Sequence, residues 1–445
     1  MKPPSVNRNK RRTLVALATL GVAGVIAPLV SGSATMRFKL VPPSKPVDLR
    51  YFGMHVMRLA VRQPWYPYSN SLTAWPAVQF GVLRPAYANW HNLQPKPGRW
   101  DFSNLDHYVS LAEQHGAEVM LNLCSPPQWA SARPNEPSPW GLAAPGGAAE
   151  PILIEDWRNY VRTVATRYKG RIRQYEFWNE PNARGPKPFF TGTVDAAVEL
   201  TCEAYRVLKE VDAANMLAGP AGSGSSFELS WMDEYLQKGA KNCLDKLSYH
   251  FYVANDRPES MIPYVNKVKS LAQKHGLSHL PLLNSETGWV IANEKSESSY
   301  VGADPAWTTL QPDQAAAYVA RALIVGWALG LEGYHWFCWD HSSMGLIEPA
   351  TKQIKPAGLA YGKTVEWLVG STMTACESSQ GVWTCSFRAR SGSVFRIVWR
   401  ESGNTATWVP PSAWGSREYE SLDGVVKPLT AASPLLLGQN PVLIR

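Results

Sequence analysis

The sequence lacks the residue patterns that hold metals, phosphates and nucleotides. Its six cysteines include no CxxC pair and no cluster with histidine that has the spacing of a zinc site. No glycine-rich loop has the spacing that binds phosphate groups, and no dinucleotide-binding fingerprint follows a predicted strand. We therefore expect an activity that needs no metal and no cofactor.

The net positive charge is small outside the N-terminus. The formal net charge is +8, but five basic residues and no acidic residue lie in the first twelve positions. The rest of the chain has an ordinary balance, so the composition gives no reason to expect a nucleic-acid partner. A mildly positive body would still tolerate an acidic polysaccharide.

Long apolar runs are also absent, with one exception near the N-terminus. A basic region ends at Arg12, an apolar run covers residues 14–30, and small residues follow at 31–34. This three-part pattern is that of an export signal. If it is kept, the run is just long enough to span a membrane, which takes about 17–20 residues. We expect residues 1–34 to be a signal peptide or a membrane anchor, and the protein to be exported: periplasmic, anchored in the inner membrane or secreted.

The cysteines divide into two candidate disulfide bonds and two buried thiols. Export makes disulfide bonds possible, and a bond between Cys376 and Cys385 would bridge a hairpin near the C-terminus. Cys202 with Cys243 is a further candidate pair. Cys124 and Cys338 fall in predicted strands.

After a proline-rich lead, strands and helices alternate over most of the chain, which is typical of βα units around a parallel sheet. Eight such units over about 320 residues predict a (β/α)8 barrel, a fold that takes about 250 residues and grows by loop insertion. We place this barrel at residues 48–370. Its predicted strands are 51–56, 81–87, 117–123, 172–178, 216–219, 247–252, 280–285 and 332–338.

Two segments depart from this alternation. From residue 371 to residue 445, short β-rich runs are separated by turn residues, which predicts a small antiparallel β-sandwich module. Part of this module could pair with the lead before residue 50. The second segment, 125–150, is rich in Pro, Gly and Ala and follows predicted strand three. It therefore lies at the C-terminal rim of the barrel, where we expect it to wall a substrate cleft.

Two glutamates follow apolar strands on opposite sides of the predicted barrel. Glu180 lies in WNEPN after strand four, and Glu286 lies in SETGW after strand seven. Either one alone is most simply a solvated carboxylate at a strand end. The C-terminal ends of all eight strands meet at one mouth, so we expect the two carboxylates to face each other. Facing carboxylates are what cleavage of a glycosidic bond requires: one protonates the leaving oxygen, and the other attacks the anomeric carbon or activates water.

These two motifs, together with YANWHNLQP and GRWDF between residues 87 and 102, resemble clan A glycoside hydrolases, the retaining (β/α)8 superfamily. The likeness is nearest to glycoside hydrolase family 39 and to bacterial exopolysaccharide-locus endoglycosidases, which join a barrel to a C-terminal β-sandwich. The resemblance covers roughly residues 48–370. It implies that Glu180 is the acid/base and Glu286 the nucleophile, with their carboxyl groups about 5–5.5 Å apart.

The resemblance also implies a set of polar residues around the two glutamates. Arg84, near the end of strand two, matches the arginine that supports the nucleophile. Asn179 matches the asparagine that binds the sugar 2-hydroxyl. His250 and Tyr252 end strand six, where one residue orients the nucleophile, and the sequence does not choose between them.

Further candidates are a histidine and several of the nineteen tryptophans. His55, at the end of strand one, either lines the subsite of the cleaved sugar or is a satisfied core histidine. Trp336 and Trp339 end strand eight, where the clan often places an aromatic platform, and Trp336 is the preferred candidate. Trp90 and Trp289 are candidates for the rim. Indole rings suit stacking on sugars, although about half of the tryptophans are expected in the core.

We interpret the chain as a retaining endo-glycosidase that acts on a bacterial extracellular polysaccharide by a two-glutamate double displacement. One alternative is an exo-acting enzyme like a β-xylosidase, which trims plant hemicellulose. Two others are a non-catalytic polysaccharide-binding protein on the same barrel and a structural subunit of an export complex. We expect a monomer with a polysaccharide substrate, no nucleic-acid partner, and membrane association only through the N-terminal segment.

Overall fold

A computed structural model describes most of the chain after residue 37. The expected signal or anchor at 1–34 lies outside the described residues. No helix within the described part is long and apolar enough to cross a membrane. The described ranges are 38–59, 72–139, 144–185, 188–224, 229–294, 307–430 and 434–445.

Eight parallel strands form a closed barrel, in which each strand pairs with the next and the last pairs with the first. The predicted (β/α)8 fold is therefore confirmed. The strands are β1 (Phe52–Val56), β2 (Val82–Pro85), β3 (Glu118–Leu123), β4 (Gln174–Phe177), β5 (Met216–Ser223), β6 (Lys246–His250), β7 (Leu282–Thr287) and β8 (Gly333–Trp336).

A helix follows each strand from β2 to β8. Several begin with the signals expected of a helix start: the Thr193 hydroxyl accepts from the Ala196 N–H, and proline occupies the first turn of the last three helices. A four-residue helical turn, Trp90–Leu93, precedes the first of them. The helices are α1 (Ser103–Gln114), α2 (Ile154–Arg167), α3 (Val194–Val211), α4 (Leu229–Gln237), α5 (Ile262–Lys274), α6 (Pro312–Ala328) and α7 (Pro356–Leu368).

The barrel interior changes from apolar to polar toward the C-terminal ends of the strands. Four apolar residues, one each from β2, β3, β5 and β7, form a separate buried cluster. Side chains alternate along a strand, so the residue two positions further on lies on the same face. At those positions β2, β3 and β7 carry buried polar side chains. The apolar residues are Val82, Met120, Ala218 and Leu283, and the polar ones are Arg84, Asn122 and Ser285.

The C-terminal segment is an antiparallel β module, as predicted. Its main sheet has seven strands, and a separate two-stranded sheet packs on it through a small core that includes Val398 and Leu437. The edge strand is the lead segment Lys39–Leu40, which pairs with β9 and confirms the expected contact with the lead. In sheet order, the strands are Lys39–Leu40, β9 (Thr372–Ser379), β10 (Val382–Arg388), β11 (Val394–Arg400), β16 (Val442–Ile444), β13 (Glu418–Glu420) and β14 (Val426–Pro428), with β12 (Ala406–Trp408) and β15 (Leu435–Leu437) in the small sheet.

A buried ion pair of the barrel is hydrogen-bonded to residues of this module. Arg321 on α6 donates to the Glu259 carboxylate, and both side chains are buried. The indole of Trp399 on β11 donates to the same carboxylate at 2.8 Å, and Arg321 donates to the carbonyl of Glu401 at 3.0 Å. Charged groups of the barrel are therefore satisfied by residues of the module.

All six cysteines lie as the sequence predicts. Cys376 and Cys385 are opposite each other on β9 and β10 and form a disulfide bond. A second disulfide bond joins Cys202 on α3 to Cys243. The remaining two, Cys124 and Cys338, are buried free thiols.

The insertion after β3 is described except for residues 140–143, and it is fixed by polar contacts. The Ser131 hydroxyl donates to the carbonyl of Gly146 at 2.7 Å. The guanidinium of Arg133 forms a two-pronged ion pair with Glu150 and also donates to Thr191, which follows β4. The insertion is thereby tied to the segment that carries the first glutamate motif.

Candidate active site

The Glu180 motif forms a tight turn that the neighbouring strand holds in place. Trp178 and Glu180 both adopt positive φ, at 57° and 44°, so the strand ends before them and the chain turns over the barrel mouth. The Glu180 N–H donates to the carbonyl of Ala221 on β5 at 2.9 Å. The Asn182 side chain accepts from the Ser223 N–H and donates to its carbonyl. These bonds offset the cost of a left-handed backbone at a non-glycine residue.

Glu286 is held by charged and polar side chains instead. It lies within β7, one residue before the strand ends. The Arg84 guanidinium donates to its Oε2 at 2.8 Å, and the Tyr252 hydroxyl donates to its Oε1 at 3.0 Å. Both carboxylate oxygens are therefore bonded to donors.

The two carboxylates are close together. One oxygen of Glu180, one oxygen of Glu286 and a ring nitrogen of His250 all lie within 4.8 Å of one another. An inverting glycosidase separates its carboxyl groups by about 6.5–9.5 Å to leave room for a water molecule, whereas a retaining one needs about 5–5.5 Å. An oxygen-to-oxygen distance of at most 4.8 Å agrees better with the shorter, retaining separation.

The same three groups are the one cluster in the described residues with the spacing of a metal site. Each of the three side chains already has a hydrogen-bond partner: His250 bonds Glu180, and Glu286 bonds Arg84 and Tyr252. A cation there would sit close to the positive guanidinium, which opposes its binding. The arrangement suits proton transfer and nucleophilic attack better than metal coordination.

His250 and Tyr252 each contact a different glutamate. The His250 Nδ1 lies 2.9 Å from the Glu180 Oε1, whereas Tyr252 bonds Glu286. Burial lowers the pKa of His250, but Glu286 and the bond to Glu180 raise it more, so it lies above its ordinary value. Burial and the two nearby carboxylates hold the pKa of Tyr252 well above 10, so its hydroxyl stays a donor. The structure therefore assigns Tyr252 to Glu286 and His250 to Glu180.

Comparisons with known proteins agree with the barrel fold. Residues 72–144 match a family model described as β-galactosidase, of the glycosyl hydrolase 42 type. A family 39 glycoside hydrolase from Bacteroides cellulosilyticus WH2 superposes with a TM-score of 0.66 at 17% identity, covering 90% of this chain and 82% of that one. The structure has the fold of clan A glycoside hydrolases.

Two further solved structures share this glycoside hydrolase fold. A monomeric β-xylosidase from Caulobacter crescentus CB15 has a TM-score of 0.60 at 16% identity, with 91% of this chain and 97% of that one covered. A family 30 subfamily 8 xylanase from Clostridium acetobutylicum has a TM-score of 0.59 at 13% identity, with 90% and 97% covered. Similarity at this level establishes a shared fold, while the chemistry is argued from the site.

Arg84 and Asn179 lie where the resemblance implies. The buried Arg84 guanidinium contacts Glu286 and donates to the Asn179 Oδ1 at 3.1 Å. Asn179 is adjacent to Glu180 in the turn and is partly exposed. That Asn179 binds a sugar hydroxyl stays a prediction.

His55 lies beside Glu286 and is nearly buried. Its Nε2 donates to the carbonyl of Ser285 at 2.8 Å, which leaves Nδ1 unprotonated and 3.9 Å from the Glu286 Oε2. Burial and the charge of Arg84 hold the pKa of His55 well below its ordinary value, so the ring is neutral. It is a hydrogen-bonded histidine that also borders the site, which combines the two expected roles.

The tryptophan expectations need correction. Trp336 and Trp90 are both 0% exposed, so neither ring presents a face to the mouth of the barrel. Trp336 stacks on Trp289, and Trp90 stacks on Tyr160. Trp339 is also buried. Trp289, expected at the rim, is buried as well, so all four indoles belong to the hydrophobic core.

The structure shows other aromatic rings at the site. Phe337, one residue after Trp336, is only partly buried and packs edge-on against the His55 ring at 5.4 Å. Trp307 is also partly exposed, with its ring 5.4 Å from that of Tyr252. Strand alternation was the signal available for Phe337, since the neighbour of an outward residue faces inward.

Sequence reasoning also missed Glu176. This residue lies on β4 and is 0% exposed, and its Oε2 is 2.7 Å from the Arg84 Nη2. The available signal was an acidic residue within a predicted barrel strand, since a buried carboxylate requires a partner.

Proposed function

We propose that this chain is a retaining glycoside hydrolase that cleaves a polysaccharide, with Glu286 as nucleophile and Glu180 as acid/base. The observation that carries the proposal is the 4.8 Å limit between their carboxylate oxygens, across the mouth of a glycoside hydrolase barrel. The different partners of the two groups support the different roles.

The geometry supports a double displacement. Glu286, ionised between Arg84 and Tyr252, attacks the anomeric carbon while Glu180 gives its proton to the leaving glycosidic oxygen. This forms a covalent glycosyl–enzyme ester and releases the first product. Glu180, now a carboxylate, takes a proton from water as that water attacks the anomeric carbon. The Glu286 ester bond then breaks, which returns both groups to their starting states.

The proposed substrate is a bacterial extracellular polysaccharide that is cut internally. Support comes from the likeness to exopolysaccharide-locus endoglycosidases and from the partly exposed rings of Phe337 and Trp307 near the nucleophile. The buried Trp90 and Trp336 no longer support a tryptophan-lined rim.

One alternative has an observation in its favour. The structures that share this fold include a β-xylosidase and a xylanase, so an enzyme that acts on xylan or xylosides is the second candidate. The match of residues 72–144 to a β-galactosidase model adds galactosides to the substrates to be tested.

The decisive experiment is hydrolysis of purified exopolysaccharides, xylan and aryl β-glycosides by wild type, Glu180→Gln and Glu286→Gln. We expect polymer cleavage that both substitutions abolish, and release of oligosaccharides of mixed length. Monosaccharide release from chain ends would favour the exo-acting alternative. Undiminished activity in both variants would refute the site, and binding without hydrolysis by wild type would favour a polysaccharide-binding protein.

We also propose that the protein acts outside the cytoplasm, on the strength of the export-like pattern at residues 1–34. Cell fractionation with N-terminal sequencing tests this. A chain beginning near residue 35 indicates a cleaved signal, an intact chain in the membrane indicates an anchor, and an intact cytoplasmic chain refutes export.

A further inference from the structure

The buried carboxylate of Glu176 has a position that the two-glutamate mechanism does not use. It lies on β4, four residues before Glu180, and no part of its side chain reaches solvent. Its Oε2 is 2.7 Å from the Arg84 Nη2, and the Asn122 amide donates to the same oxygen at 3.4 Å. Substrate therefore cannot touch it, and any effect on catalysis passes through its charged neighbours, Arg84 and His250.

Arg84 is shared between two carboxylates. Its Nη1 faces Glu286, and its Nη2 faces Glu176. Burial lowers the pKa of Arg84, but Glu176 and, to a smaller extent, Glu286 raise it more. Burial likewise raises the pKa of Glu176, while Arg84 and His250 lower it more, so Glu176 is ionised. The guanidinium thus carries one positive charge against two negative ones.

We propose that Glu176 is a positioning residue that takes up part of the Arg84 charge and thereby limits how strongly that charge acts on Glu286 and Glu180. This inference rests on the proposed glycosidase function of the same site. Without the negative charge of Glu176, the field of Arg84 favours the ionised form of both catalytic carboxylates.

Other groups near Glu176 do not replace its charge. The thiol of Cys124 is protonated because burial raises its pKa, and burial lowers the pKa of His335 to about 3, so that ring is neutral. Arg84 and His250 are the cationic neighbours. The full set facing Glu176 is Arg84 on β2, Asn122 on β3, Cys124 after β3, Ser248 and His250 on β6, Ser285 on β7 and His335 on β8.

The test compares Glu176→Gln, which keeps the shape but removes the charge, with Glu176→Asp, which keeps the charge. In Glu176→Gln, both limbs of the pH profile of kcat/KM should move to lower pH, by about one pH unit. In Glu176→Asp the limbs should stay while the rate falls. Glu155→Gln is the matched control, since it removes a carboxylate whose side chain is 75% exposed. It should change neither limbs nor rate.

A second readout does not depend on activity. Because Glu176 is a buried negative neighbour of His250, Glu176→Gln should lower the pKa of His250, as followed by NMR titration of the histidine rings. If wild type hydrolyses nothing, the proposed function fails, but this titration still decides the role of Glu176.

A lower rate in Glu176→Gln with both limbs and the His250 titration unmoved would overturn the proposal and leave Glu176 a packing residue. Thermal unfolding confirms that each variant is folded. If Glu176→Gln does not fold, Glu176→Met removes the same charge with an apolar side chain of similar length and should also move both limbs to lower pH. Unmoved limbs in that variant would likewise overturn the proposal.

Discussion

The two catalytic carboxylates of the proposed mechanism are supported in different ways. Glu180 lies in a turn that backbone hydrogen bonds to β5 hold in place, and its side chain contacts one titratable partner, His250. Glu286 lies within a regular strand, and a permanent cation and a phenol donate to its carboxylate. In this mechanism Glu180 must lose and regain a proton, and its partner His250 can also titrate. Glu286 must stay ionised, and its partners Arg84 and Tyr252 keep their protons.

The largest effect should come from Glu286→Gln. This change removes the nucleophile, so kcat should fall on the order of 10⁴- to 10⁶-fold for every substrate, with the fold intact. A 2-fluoro glycoside that traps the glycosyl ester, followed by peptide mass spectrometry, checks the site. Label found on any other residue would contradict the assignment.

A smaller and more selective loss should follow Glu180→Ala. Loss of the general acid should cost about 10²- to 10⁴-fold with natural leaving groups, and far less with activated aryl glycosides that need no proton. Azide should restore turnover and give a β-glycosyl azide. An equal loss on both substrate types, without rescue, would mean that Glu180 is not the acid/base.

Tyr252→Phe tests the support of the nucleophile. It removes one hydrogen bond to a charged group, which is worth about 1.5–3 kcal/mol, so kcat should fall by about 10- to 100-fold. Tyr205→Phe is a matched control on the surface of α3. An unchanged kcat in Tyr252→Phe would show that Arg84 alone orients Glu286.

The smallest effect concerns stability and His250. Its folded pKa is raised above the unfolded value, so its stabilising contribution is fully present below pH about 6.5 and is lost as pH rises through the folded pKa. The Tm of wild type should therefore exceed that of His250→Gln by more at pH 6 than at pH 9, with a change of about 2 °C. A pH-independent difference would show that the charge of His250 contributes nothing.

The barrel and both glutamates could be predicted from sequence because topology alone brings the C-terminal strand ends together. The choice between His250 and Tyr252 could not be made, since residues two apart on one strand share a face. Phe337 was missed because the prediction favoured the neighbouring tryptophan, Trp336. A shift of one residue along a strand reverses the direction of the side chain. Glu176 was missed because its partner, Arg84, lies 92 residues away on another strand.

The contacts of the Arg321–Glu259 ion pair determine how this protein can be truncated. A protein cut after α7 would lose the Trp399 indole and the Glu401 carbonyl, and a buried charged pair would lose neutral partners from the other half. Each hydrogen bond to a charged group is typically worth about 1.5–3 kcal/mol. The C-terminal module is accordingly required for the stability of the barrel, and we expect neither part to fold well when it is expressed alone or joined to another protein.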